Sequence, residues 1–355
     1  MKKLTLALFG VATAAIASVA LLNCDGSDPG TDPNTQDLAV ENDLANNQTG
    51  DMAVAQPDLA GALPPTKLTG FQQPSSVHWD SVSQAWYVSN VITSNLTDPK
   101  GFRDTKASIS KVPANLSSPN HSWYPETAAQ KLSAPFGMRI AGGKLYVGDI
   151  DKLWAIDVAN PTGVAPVQSA QVVAKGMAAL LGYPAFLIDV AVDGSGNIYA
   201  ADATGRRALK WNAPFAAGAK ETEIIAPDTL QGPSGIYIDG SKVILAEAGI
   251  NQVITKVGGI STCNLDGSGL KRIYDSTKTS LAYQGIEKDT SGLYMISSPA
   301  DKVVYGVNPT TGAHAIVRNV GQDGATTAAD LGWDPIGKVL AVPDSGANAV
   351  YFYKL

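Results

Sequence analysis

Six segments of this chain repeat one pattern: an apolar stretch closing on Asp or a turn, a Gly-containing turn, then a β-rich run ending in a small or acidic residue. The first joins Pro74-Ser-Ser-Val-His-Trp-Asp80 to Ala85-Trp-Tyr-Val-Ser-Asn90. The second joins Ala134–Ile140 to Lys144–Asp149, the third Phe186–Asp193 to Asn197–Asp202, and the fourth Gly232–Asp239 to Val243–Glu247. The fifth joins Tyr283–Asp289 to Leu293–Ser298, and the sixth Ala329–Asp334 to Val339–Asp344. The runs end at 90, 149, 202, 247, 298 and 344, a step of 45 to 59 residues. A unit of that length cannot bury its apolar face alone, whereas stacked copies can, and roughly 40–50 residues make one four-stranded propeller blade.

Most pairs are followed by further β-like runs. Third strands are predicted at Lys152–Asp157, Ala208–Trp211, Val303–Val307 and Ala349–Tyr353. Fourth strands are predicted at Gln171–Ala174, Glu223–Ile225, Leu270–Tyr274 and Ala313–Val317. Alternation and β-branched content suit sheets packed face to face. The sixth repeat runs out of chain after its third strand, while an unpaired β-like piece, Thr66–Gly70, precedes the first. The prediction is an all-β, six-bladed β-propeller with four-stranded blades over residues 67–355. An N-terminal strand joining the last blade closes its ring, since an open ring would expose two sheet faces and their edges.

Charge separates the rest of the chain from this domain. Of 26 bases and 32 acids, Lys2 and Lys3 fall in residues 1–24, and eight acids with no base fall in residues 25–66. The remainder is balanced, without the basic footprint of a nucleic-acid binder. Residues 1–24 read as an export signal: two lysines, an apolar run from Leu4 to Leu22, then Asn23-Cys24. The end Leu21-Leu22-Asn23-Cys24 resembles a bacterial lipobox, which implies lipidation of Cys24 and attachment to the cell envelope. Asn23 departs from the small residue usual before that Cys. Cleavage after Ser18-Val19-Ala20 with release as a secreted or periplasmic protein is the alternative, and the apolar run is also long enough for an uncleaved anchor. Residues 25–66, rich in Asp, Asn, Pro and Ala, bury too little to offset chain entropy and read as a disordered acidic tether.

Chemistry-bearing motifs are sparse. Asp149, Asp202, Glu247 and Asp344 end second strands, with Asn90 in the first blade. They read either as a ring of carboxylates able to hold a cation in the channel or as caps accepting backbone N–H bonds at the blade rim. His78 lies on an inner strand, where it could act as a base or pack structurally; His121 and His314 share no ligand spacing with it. Cys263 stands alone and reads as a structural thiol. There is no Gly-x-Ser-x-Gly elbow and no phosphate-cradling loop; Asp193–Gly196 and Asp266–Gly269 read as hairpin turns. Trp79, Trp86, Trp154, Trp211 and Trp333 read as packing residues. The stretch from Thr93 to Glu126, with Trp123 and Tyr124, reads as a first-blade insertion, either a lid or partner surface or a decorated blade edge.

The Pro74–Asp80 segment, the Gly-containing inner strands and second strands such as Tyr146-Val-Gly-Asp149 and Tyr199-Ala-Ala-Asp202 resemble the senescence-marker-protein/gluconolactonase family and the similar NHL-repeat propellers. The resemblance covers most of residues 67–355 as a blade consensus. It implies a six-bladed fold, a divalent metal (typically calcium) in the central channel, and lactone hydrolysis. Ser75 stands where the resemblance expects a Glu ligand, Ser234 where it expects an Asn, Gln284 where it expects the catalytic Asp, and Ile188 where it expects a substrate-binding Asn. The implied site therefore reads as degenerate, with His78 and Asp189 as neighbouring channel candidates. Losing both carboxylates removes the charge that offsets dehydration of the cation. The expectation is an exported, lipid-anchored, monomeric propeller that binds a small molecule or protein at its channel face. The competing expectation is a metal-dependent lactonase or related hydrolase holding Ca2+ or another divalent cation.

Overall fold

The computed structural model describes residues 64–92, 105–162, 168–249, 257–277 and 282–355. Residues 1–24, read above as an export signal ending at Cys24, and most of the acidic stretch 25–66 lie outside the described residues, as does 93–104. No helix among the described residues is long and apolar enough to cross a membrane.

The chain folds into six four-stranded antiparallel sheets. Its first strand, β1 (Thr66–Thr69), belongs to the last of them. Blade 1 comprises β2 (Pro74–Asp80), β3 (Ala85–Asn90), β4 (Ser108–Pro113) and β5 (Asn120–Tyr124). Blade 2 comprises β6 (Pro135–Ala141), β7 (Lys144–Asp149), β8 (Lys152–Asp157) and β9 (Gln168–Gln171). Blade 3 comprises β10 (Leu187–Val192), β11 (Ile198–Asp202), β12 (Arg207–Trp211) and β13 (Thr222–Ile225). Blade 4 comprises β14 (Pro233–Asp239), β15 (Lys242–Glu247), β16 (Gly259–Asn264) and β17 (Lys271–Asp275). Blade 5 comprises β18 (Ile286–Lys288), β19 (Tyr294–Ser298), β20 (Val303–Val307) and β21 (His314–Asn319). Blade 6 comprises β22 (Gly332–Asp334), β23 (Val339–Asp344), β24 (Ala349–Lys354) and the returning β1. The first strand of each blade touches that of the next, and β22 returns to β2, so the ring is closed.

The turns follow from their residues. Asp193 accepts the amides of Ser195 and Asn197, both at 2.9 Å, and its other oxygen accepts the Tyr199 hydroxyl. The side chain thereby replaces the hydrogen bonds that a tight reversal leaves unmade. Where expectation and structure differ, the cause is visible. The stretch read as a first-blade insertion supplies β4 and β5, the two outer strands of blade 1, and Tyr124 is buried against Ala85, Ile109 and Leu132. The fourth strand of blade 2 runs over Gln168–Gln171, not Gln171–Ala174. Strand β16, Gly-Ile-Ser-Thr-Cys-Asn, is too polar to announce itself by hydrophobicity.

Apolar side chains gather between neighbouring blades. The five tryptophans read as packing residues are all buried. Cys263 lies in the cluster joining blades 3 and 4, and burial pushes its thiol up to about 11, which leaves it a poor nucleophile.

The seam between the chain ends is hydrogen-bonded and apolar together. Thr66 pairs with Phe352, Lys67 with Tyr351, Leu68 with Val350 and Thr69 with Ala349. Phe71, just beyond β1, is buried with Trp79 and Trp86 of blade 1 and Phe352 of blade 6. The Trp86 ring lies 4.9 Å from Trp79 and 5.5 Å from Phe352. Deleting residues 66–71 is expected to lower the unfolding free energy by more than about 3–5 kcal/mol, the range for emptying one large aromatic site. Chemical denaturation measures it, and an unchanged midpoint refutes the role given to the seam.

Candidate functional site

Register fixes which residues share the hub. His78, Arg139, Ala191, Tyr237, Glu287 and Gly332 each pair with the second-strand residue three positions before the strand's end, so they occupy one rung of the ring. Two residues earlier stand Ser76, Gly137, Asp189, Gly235, Gly285 and Asp330. These two rungs hold the ionisable groups of the hub.

On the second rung the two aspartates sit on opposite blades and are held alike. Asp189 accepts the amide of Val190 on one oxygen and that of Ile236, from the next blade, on the other, both at 2.8 Å. Asp330 accepts the amide of Leu331 at 2.7 Å and the Ser76 hydroxyl, also from the next blade, at 2.5 Å. Each fits because the preceding blade offers a glycine. A Cβ on Gly137 would lie 2.1 Å from Asp189 Oδ1, and one on Gly285 would lie 2.0 Å from Asp330 Oδ1. Any larger residue there would evict the carboxylate. Each aspartate thus bonds its own blade to the next and packs against the one before.

On the neighbouring rung Arg139 of blade 2 reaches Glu287 of blade 5 across the ring, 2.6 Å between Nη1 and Oε1. The guanidinium also lies over the Tyr237 ring, 5.9 Å from its centroid. Its Nε–H has no acceptor among the described residues. Burial works against the Arg139 charge, but Glu287 and Asp189 outweigh it and raise its pKa. Burial raises Glu287 against the pull of Arg139. Burial, and then the charge of Asp330, raise Asp189 well above the ordinary carboxylate range. Burial pushes Asp330 up to about 6. His78 is held well below its usual value by burial and by Arg139, so it is neutral at pH 7.

The remaining sequence candidates lie elsewhere. Asp149 accepts the amides of Ser133 and Ala134 and the Trp154 indole N–H. Asp202 accepts the Phe186 amide and pairs with Arg207 at 2.7 Å. Glu247 accepts the Gln231 amide and pairs with Arg272 at 3.0 Å. Asp344 accepts the Thr326 amide at 2.8 Å, and Asn90 that of Gln72 at 3.1 Å. Each side chain thus fastens the loop leading into its own blade, and none of these contacts joins one acid to another. Of the degenerate family positions, Ile188 packs in the apolar cluster joining blades 3 and 4, and the Ser234 hydroxyl donates to the Tyr283 carbonyl of the next blade. Ser75 accepts the Asp330 amide through its carbonyl, and Gln284 donates its amide to the Ser297 carbonyl. The sequence reading singled out His78 and Asp189 but missed Arg139, Glu287, Asp330 and Ser76. The available signal was a charge two residues after a glycine in an otherwise apolar inner strand, Gly137-Met-Arg139 and Gly285-Ile-Glu287.

The donors present do not fit a divalent cation. The two hub aspartates already hold N–H or O–H donors on both oxygens, and Arg139 supplies a competing positive charge. Among the described residues no group of three or more His, Cys, Asp or Glu is placed to hold a metal ion.

No protein-family model matches the sequence, and no curated protein matches it. Comparison with solved structures finds 1148 matching chains, so likeness of fold singles out no activity. One is a chain in the crystal structure of a nidogen/laminin complex, 13% identical, with a TM-score of 0.50, covering 69% of this chain and 85% of that one.

Two outcomes follow from the hub. Arg139→Met strands the Glu287 carboxylate in the interior and is expected to lower stability by about 3–5 kcal/mol, whereas Arg139→Met with Glu287→Leu restores most of the loss. A double variant as unstable as the single one refutes this. For Asp330, the unfolded chain titrates near its ordinary value of about 4. Between that value and about 6 the native state keeps protons that the unfolded state has released, so stability falls as pH rises through this window. Asp330→Asn is expected to flatten that fall in urea melts at pH 4, 5 and 6; an unchanged slope contradicts the assignment.

Proposed function

We propose that this chain is an exported, envelope-tethered β-propeller that binds a small molecule or protein partner and is related to the gluconolactonase-like propellers without their hydrolytic site. The observation that carries this reading is the state of the hub. Its carboxylates are bonded to backbone, to a hydroxyl and to an arginine, leaving no cluster of anionic oxygens to strip water from a doubly charged ion. His78, the one imidazole on an inner strand, stands beside Arg139 and lacks a carboxylate partner to raise its basicity. Export and tethering rest on the lysines, apolar run and Cys24 of residues 1–24.

The reading is tested on the full chain by adding calcium and a sugar lactone. Calcium is expected to leave the melting temperature unchanged, and the lactone to hydrolyse no faster than in buffer. A calcium-dependent rise in melting temperature, as ligand linkage demands, together with turnover lost in Asp189→Ala but kept in Asp202→Ala, establishes the lactonase instead. In the same preparations mass spectrometry of the membrane-bound protein is expected to find a chain that begins at Cys24 and carries a diacylglycerol group there. An unmodified Cys24 removes the lipid anchor from the proposal.

A further inference from the structure

The hub carboxylates are engaged with partners inside the ring, and a second polar site lies at the loop end of blade 1. A cavity of about 420 Å³ opens there, in the size range of small-molecule sites. Its floor is a connected chain of polar groups. The Gln72 amide donates to Asn90 Oδ1 at 3.1 Å, Asn90 Nδ2 donates to Ser110 Oγ at 2.9 Å, and Ser110 Oγ lies 3.3 Å from His121 Nδ1. Ser110, which accepts from Asn90, still has its own hydrogen to donate to Nδ1 and a second lone pair to accept from it. The ring cannot turn away. Phe71 meets it edge-on at 4.9 Å, and Gly70 passes so close that a Cβ there would lie 3.1 Å from Nε2. Gly70 also has φ of +91°, where a side chain is strained, so the close approach requires this residue type.

The walls carry further polar side chains. Ser108, Ser122, Glu126 and Thr127 line the cavity, and their side chains form no hydrogen bond with another described residue. Among the described lining residues Glu126 is the one carboxylate, and none is lysine or arginine. Burial lowers the pKa of His121, so it serves as a neutral donor and acceptor at pH 7.

We propose that this cavity binds a neutral polyhydroxylated ligand, of the class of a mono- or disaccharide. An anionic ligand would meet Glu126 with no cation among the described lining residues to balance it. An apolar ligand would dehydrate hydroxyl and amide groups without replacing their hydrogen bonds. Sugar hydroxyls both donate and accept, matching serine, threonine, asparagine and neutral histidine, and a carboxylate accepts from two of them at once. This assignment deepens the binding function proposed above and rests on it.

The test titrates the full chain with glucose, galactose, maltose and glycerol, with gluconate as the anionic and glucosamine as the cationic counterpart, read by calorimetry and ligand-observed NMR. At least one neutral saccharide is expected to bind, with affinity of about millimolar or tighter. Ser122→Trp, which fills the cavity from an exposed position, is expected to weaken that binding about tenfold or more without changing the melting temperature. Ser110→Ala, which cuts the floor network, is expected to weaken it too. No binding by any neutral saccharide, tighter binding of gluconate or glucosamine than of glucose, or binding indifferent to Ser122→Trp each overturns the proposal. If the sugars fail while calcium and lactone remain without effect, the ligand class falls and the non-hydrolytic binding function stands. If calcium and lactone act, that function falls whatever the sugars do.

Discussion

A circular stack of sheets has no stable intermediate size: its last sheet must find the first, or two apolar faces stay wet. Here that demand rests on four residues of β1 lying along β24, backed by Phe71, Trp79, Trp86 and Phe352. β1 itself is largely exposed, so it contributes backbone pairing more than burial. The aromatic group beside it supplies the burial, and the two act as one seam because Gly70 and Phe71 carry the chain from the pairing strand into the core. Everything at the hub presupposes this closure, since Ser76 meets Asp330 only when blade 1 abuts blade 6.

The hub shows how ionisable groups are held in an interior. Asp189 and Asp330 are each lodged above a glycine and answered by two donors, one of them local and one from the next blade. Arg139 and Glu287 answer each other across the diameter. Such an arrangement holds geometry more than it adds stability, because dehydrating the charges offsets most of their attraction. The polar groups at the loop end of blade 1 differ in kind. There a buried relay supports a cavity whose wall side chains have no hydrogen-bond partner among the described residues.

Much of the fold was legible in the sequence because a four-stranded blade imposes a period, and the inner pairs carry the most regular alternation. The closing strand was legible for a different reason, the missing fourth strand after Lys354. β4 and β5 were hidden because Ser108–Pro113 and Asn120–Tyr124 mix polar and apolar residues at the margin of the ring, where one face of a strand meets solvent. The hub was only half legible. Asp189 follows an apolar run and draws notice. Arg139 and Glu287, 148 residues apart, become partners only through the six-fold arrangement, which no local pattern encodes. The second-strand acids illustrate the converse. Their recurrence was plain, and of its two readings the geometry supplies contacts only for the local one, in which each acid fastens the loop that precedes its own blade.

The placement of β1 has a mechanical consequence. It is at once the first of the described strands and the outermost strand of the final blade. Tension applied to the polypeptide ahead of Thr66 is therefore delivered to the β1–β24 pairing before any other sheet is loaded. A pull strong enough to peel those few residues away draws Phe71 after them and loosens the boundary between blades 1 and 6. That boundary adjoins Gly70 and His121, so the same pull reaches the wall of the blade 1 cavity.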